Sequence, residues 1–171
     1  ARAEGCRTQV TLQTLSPAIL TRFMRALSIK DAVCAYADVL PQQGVLPEVE
    51  RCLADQLVVE GNFDAVLMLP DDHVLRQEAP AVSGAMAAMD QGEWAQAADA
   101  LSEISRRSPF APWRVFCRGM ACFCTEDDVG AQRAAKLIPD DFVLADVAAG
   151  WLLDAPEDVR GLVWDGVMGV E

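Results

Sequence analysis

The chain carries the turn sequence Gly61-Asn62-Phe63 and, thirty-one residues later, Gly92-Glu93-Trp94. In each, an aromatic residue follows the glycine by two positions, and apolar stretches of helical spacing lie on both sides. Seven residues before each glycine stands a small residue, Ala54 and Ala85. The series continues with Gly119 and Gly150, so the four small residues are spaced 31, 34 and 31 apart. Recurrence at that period marks stacked helical hairpins, each too small to bury its apolar face alone. A small side chain permits close helix approach, and glycine permits a tight turn.

Working outward, the spacing divides the chain into units at 47–77, 78–111, 112–142 and 143–171. Pro47, Pro80 and Pro112 are each expected in a first helical turn, where a missing N–H costs nothing. Trp113, Phe116, Cys117, Met120 and Cys124 recur at helical spacing, as do Ala97, Leu101 and Ile104. Pro139 and Pro156 read as breaks between helices. Residues 1–46 do not follow the repeat. Ser16-Pro17 reads as an N-cap with proline at N1, ahead of the stripe Leu20, Phe23, Met24 and Leu27. A second helix is expected from Ile29 to Leu40, with Val33, Tyr36, Ala37 and Leu40 inward, ended by Pro41 and Gly44. These are expected to be N-terminal capping helices covering the end of the stack.

The pattern resembles that of tetratricopeptide-repeat (TPR) proteins, whose units pair two antiparallel helices in about 34 residues. Residues 78–111 match at Ala85, Gly92, Trp94, Ala97, Leu101, Ile104 and Pro109. Residues 47–77 keep Ala54, Gly61 and Phe63, with Val66 in place of the second-helix alanine and three residues fewer. Residues 112–142 keep Gly119, Ala131 and Ile138, but carry Glu126 and Asp128 where the family has glycine and an aromatic. Residues 143–171 keep Gly150. The resemblance implies an all-α, TPR-like solenoid, one continuous domain over 47–171, with Trp94 buried between the helices of its unit.

Composition narrows the function. Net charge is −12, against nucleic acid, since phosphate binding rests on Lys and Arg. Residues 125–171 hold eleven acids and three bases, an asymmetry that favours a basic partner or simply keeps an apolar stack in solution. The longest apolar run, Phe142 to Leu153, contains Asp146 and is too short to span a membrane, so no membrane insertion is expected. No charged-then-apolar signal pattern opens the sequence, and a cytoplasmic location is expected. The six cysteines form no CxxC pair, so zinc is not expected; Cys117 and Cys124 share an apolar stripe and read as buried free thiols.

Residues for catalysis are sparse. His73, the only histidine, reads as a surface or helix-start residue. The pairs Asp71/Asp72, Asp127/Asp128 and Asp140/Asp141 each precede an expected helix and read as caps. No GxSxG, P-loop or GxGxxG occurs. The expectation is a binding module, not an enzyme, with no cofactor and no metal.

In the resemblance, the first helix of each unit lines a concave face. Its groove positions fall here on Val82, Met86 and Met89, then on Trp113, Phe116, Met120 and Phe123. Such an apolar set accepts an amphipathic helix, unless neighbouring helices cover it as core. Residues 86–151 also resemble the small TPR chaperones of bacterial type III secretion systems that hold the needle subunit. That likeness lies in Gly92-Glu93-Trp94-Ala95-Gln96-Ala97-Ala98, in Ala111-Pro112-Trp113 with Cys117, and in Leu144-Ala145-Asp146-Val147-Ala148-Ala149-Gly150. It implies a cytoplasmic chaperone holding an apolar helix of a secretion component. The alternative is a TPR adaptor or scaffold in another pathway.

Overall fold

A computed structural model describes residues 16–151. Cys6, Pro156, most of unit 143–171 and its acids from Asp154 onward lie outside the described residues. Within them the chain is all-α, with eight α-helices, one 3-10 helix and no strand.

Helix α1 spans Pro17–Met24, with Ser16 at its N-cap and proline at N1, as its sequence dictates. Leu20 and Met24 are fully buried, whereas Phe23, expected inward, is exposed. Helix α2 spans Ile29–Gln43 and runs through Pro41 into its last turn. Gly44 ends it at φ +70, donating its N–H to Leu40 O at 2.9 Å. Helix α3 spans Pro47–Glu60 from a first-turn proline, and Gly61 closes it in the left-handed conformation. The next element is a 3-10 helix, Phe63–Met68, in place of the expected α-helix. Only a few residues separate Gly61 from Pro70, and that length suits one tight segment.

Helix α4 spans Val74–Asp90 and begins earlier than expected: His73 is its N-cap, and Pro80 lies in its interior. Helices α5 (Trp94–Ala100), α6 (Ala111–Cys124), α7 (Asp128–Ala135) and α8 (Ala145–Gly150) complete the chain as described. Pro112 sits in the first turn of α6. Helix α4 packs on α5, α5 on α6 and α6 on α7, while α1 packs on α3 and α2 on the 3-10 helix. The connection Gln91–Glu93 is short enough to fold α5 back against α4.

The small residues do their expected work at three of four positions. Ala54 and Ala85 have no exposed surface. A Cβ on Gly119 would lie 2.9 Å from Ala134 Cβ and overlap the Trp151 ring. Gly150 faces no such approach.

The turns agree even where the residue type does not. Gly61 and Gly92 take φ +63 and +75, and Glu126, at the family's glycine position, takes φ +61. A left-handed non-glycine residue costs roughly 1–2 kcal/mol, partly offset in glycine by about 0.5–1 kcal/mol of extra chain entropy. Glu126→Gly should therefore stabilise the protein by about 0.5–1 kcal/mol in urea melts. A loss instead would mean that this turn is held by the glutamate.

Trp94 departs from expectation. It opens α5 and is only half-buried at the edge of the core, because α5 ends at Ala100 and its core contacts come from Ala97, Leu101 and Ile104. Trp94→Ala should cost about 1–2 kcal/mol, below the roughly 3–5 kcal/mol of a fully buried tryptophan. A denaturant melt giving the larger figure would put the ring between the helices after all.

Candidate functional site

One face of α3 carries Cys52, Asp55, Gln56 and Val59, a three-and-four spacing that sets them in a row. Together with Glu60, with Arg25 at the end of α1, and with Asp141 and Val143, this row encloses a cleft of about 490 Å³. Helix α3 forms one wall, and the segment after α7 brings Asp141 and Val143 to it. Arg51 reaches Asp141 at 3.4 Å, joining α3 to that segment, but both side chains are exposed, so the pair contributes little.

The polar groups of the cleft are held from behind. The Trp113 indole N–H, from α6, donates to Asp55 Oδ1 at 3.0 Å. Gln56 Nε2 donates to Met24 O and Leu27 O at 3.3 and 3.4 Å, satisfying carbonyls at and beyond the end of α1. The Glu60 carboxylate accepts from Ile29 N–H at 3.2 Å, at the start of α2. Burial pushes the Asp55 carboxyl up to about 6. The Trp113 hydrogen bond pulls it down, the charge of Asp141 adds to the rise, and Arg25 and Arg51 oppose it. Burial likewise raises the Cys52 thiol, against the pull of Arg25, and the thiol donates to Thr21 O. Cys52 is thus a packed thiol rather than an activated nucleophile.

A second polar cluster is sealed from solvent. Tyr36 O–H donates to Glu50 Oε1 at 3.0 Å, and His73 Nε2 lies 2.9 Å from the same oxygen. Tyr36, Glu50 and His73 are 0%, 3% and 7% exposed. His73 Nδ1 accepts from Leu75 N–H, so Nε2 carries the ring proton; it faces Glu50 Oε1 at 2.9 Å, close enough for electrostatic attraction but without hydrogen-bond alignment. Burial holds the Tyr36 hydroxyl well above its ordinary range, so it stays a donor. Of the two expected positions for this histidine, surface or helix start, the second holds: it is the N-cap of α4, and it is buried against Glu50 of α3. Its position displaces the expected capping role of Asp71, which pairs with Arg76 at 2.7 Å. Asp127 does cap, accepting from Gly130 N–H at 2.9 Å. Asp141 pairs with Arg51, and Leu144 stands at the N-cap of α8.

The seven expected groove residues do not line the cleft. Val82, Trp113, Phe116 and Met120 are core, each at most 3% exposed. The reason is on the chain itself: Phe142 packs on Trp113 and Phe116 at centroid distances of 5.0 and 5.9 Å, and Trp151 on Phe116 at 5.3 Å. Met86, Met89 and Phe123 are half-buried against the same core, with the Cys117 thiol 3.3 Å from Met89 Sδ and Phe123 stacked on Trp151. Cys124, expected buried, is exposed.

Sequence spacing held a signal for the cleft residues that the groove assignment passed over. The groove positions of unit 78–111, carried to unit 47–77, fall on Arg51, Asp55 and Val58; Asp55 lines the cleft and Arg51 bridges its walls, whereas Val58 packs against the core. Among the described residues no group of His, Cys, Asp or Glu side chains could hold a metal ion, and no helix is long and apolar enough to cross a membrane. Comparison of the chain with protein-family models, with curated proteins and with solved structures finds no match.

Proposed function

We propose that the chain is a protein-binding helical-repeat module of the TPR type. In this reading it serves as a cytoplasmic chaperone of a bacterial type III secretion component and holds an amphipathic helix of that component. The observation that carries the binding reading is the cleft along α3, whose rim residues Val59 and Val143 are 62% and 49% exposed beside a part-buried carboxyl. Apolar rim and polar floor together suit a helix with one apolar face. The solenoid part is supported by the recurring left-handed turns at Gly61, Gly92 and Glu126 and by the tight approach at Gly119. A binder is favoured over an enzyme because the one thiol beside the cleft carboxylate is packed against Thr21 O and raised by burial.

Placement on the cleft replaces the groove set Val82, Met86, Met89, Trp113, Phe116, Met120 and Phe123. A photo-crosslinking amino acid at Val59 or Val143, in the native host, should capture one polypeptide. The same group at Val129, exposed on α7 and outside the cleft, should not. Equal capture at all three positions would sink the reading. The captured protein decides the pathway: a secretion subunit supports the chaperone, and any other helical protein supports the adaptor.

A further inference from the structure

We propose that the cleft between α3 and residues 139–143 anchors a lysine or arginine side chain of the bound helix, set between Asp55 and Asp141, with the helix's apolar residues on Val59 and Val143. This rests on the binding reading above and names the chemistry of its occupant.

The lining offers mostly acceptors. Among the described residues its carboxylates are Asp55, Glu60 and Asp141 and its lining cation is Arg25, with Arg51 at the rim on Asp141. Gln56 spends its amide N–H on Met24 O and Leu27 O, and its Oε1 is buried with no hydrogen-bond partner. Unmet capacity on this wall is thus capacity to accept, and an ammonium or guanidinium supplies only donors. The exposed valines exclude a purely ionic occupant such as a free metal ion, since they contribute only on contact with apolar groups. A helix carrying both kinds of residue meets both demands.

Asp55 points the same way. It faces Arg51 on its own helix, Arg25 at the end of α1, Asp141 across the cleft and the Trp113 indole from α6. Those two arginines and the indole leave its carboxyl raised to about 6. In the unfolded chain an aspartate titrates near about 4, so folding strengthens its hold on a proton. Stability contributed by Asp55 is therefore present at low pH and lost as pH rises from about 4 to about 6. A carboxylate that costs the fold at neutral pH is explained by what it binds, since strained polar groups gather at functional sites. A cation in the cleft would return Asp55 to its ionised form, so binding releases its proton and strengthens as pH rises through about 6.

The test uses the whole chain and two synthetic amphipathic helices of about five turns, with leucine on one face and either lysine or glutamine on the other. The leucine–lysine peptide should bind at least about tenfold more tightly, as charge-assisted hydrogen bonds warrant, and lose that margin between about pH 7 and about pH 5. Asp55→Asn keeps an acceptor for Trp113 and should melt no lower than wild type at neutral pH. It should abolish the lysine preference and its pH dependence while leaving the glutamine peptide unchanged. Asp141→Asn, on the exposed side of the cleft, should reduce the preference without touching the floor. Asp99→Asn, on α5, removes the same charge away from the cleft and should change nothing beyond about twofold.

Equal losses in Asp55→Asn and Asp99→Asn would mean attraction by the net charge and overturn the site. Equal affinity for both peptides would leave an apolar groove and overturn the cation anchor alone. Binding of neither peptide would overturn the binding reading together with its anchor.

Discussion

Trp113→Ala is expected to cost about 3–5 kcal/mol of stability, the range for a large core aromatic cut to alanine. Trp113 is 3% exposed and is the hub on which three elements meet. Its ring packs on Phe116 at 6.1 Å within α6 and on Phe142 at 5.0 Å from the returning segment. Its indole N–H holds Asp55 on α3. Truncation removes aromatic contact, opens a cavity and strips the carboxyl of its donor. Without that donor the Asp55 carboxyl rises further, because the hydrogen bond is what pulls it down. Trp113→Phe separates the terms: it keeps most packing and should lose about 1.5–3 kcal/mol, the worth of a hydrogen bond to a charged group. Urea melts measure both. A loss under about 1 kcal/mol for Trp113→Ala would mean that residues 139–151 do not close over α6.

That closure decides between the two readings of the groove set: Val82, Trp113, Phe116 and Met120 are core. Helical periodicity sorts Val82, Trp113, Phe116 and Met120 onto one side of their helices, and that much is right. Periodicity is silent on what comes back to cover the side. Phe142 and Trp151 lie far along the chain, and their return is a tertiary event that local spacing does not encode. The same limit explains His73. Its neighbours Asp71 and Asp72 read as capping acids, yet the cap went to the imidazole, whose other nitrogen faces Glu50 on α3 at 2.9 Å.

Legible features are those that depend on close approach and backbone sterics. Ala54, Ala85 and Gly119 are small because helices press on them, and that demand leaves a mark at fixed spacing. Pro47 and Pro112 mark helix starts for the same local reason. Pro80 shows how the rule overreaches. A proline is allowed in a first turn, but it is also tolerated inside α4, whose start is set well before it by His73. Glu126 shows the converse: the left-handed turn survives where its glycine does not. The cleft fell between the two cases. On its α3 wall Asp55 alone falls at a groove position of the repeat, and its opposite wall at Asp141 and Val143 comes from residues between helices that no periodicity describes.

The second large effect concerns the sealed cluster. Glu50→Leu removes an oxygen that accepts from Tyr36 and faces His73 Nε2 at 2.9 Å in a space closed to water. Stranding the Tyr36 hydroxyl should cost roughly 1–3 kcal/mol, and the Nε2–H of His73 loses the one acceptor atom beside it, so the variant should be strongly damaging. Glu50→Gln keeps a side-chain oxygen and should lose much less. Packing alone makes a different forecast, since leucine fills much the same volume and an apolar core position would tolerate it. The two explanations part in a double-mutant cycle. With Tyr36→Phe already in place, one donor has gone, and Glu50→Leu should then cost at least about 1 kcal/mol less than in the wild-type background. Equal costs in both backgrounds would show that Tyr36 and Glu50 are neighbours without being partners. The middle of α2 would then be held on α3 by packing, with Glu60 on Ile29 N–H as their polar link.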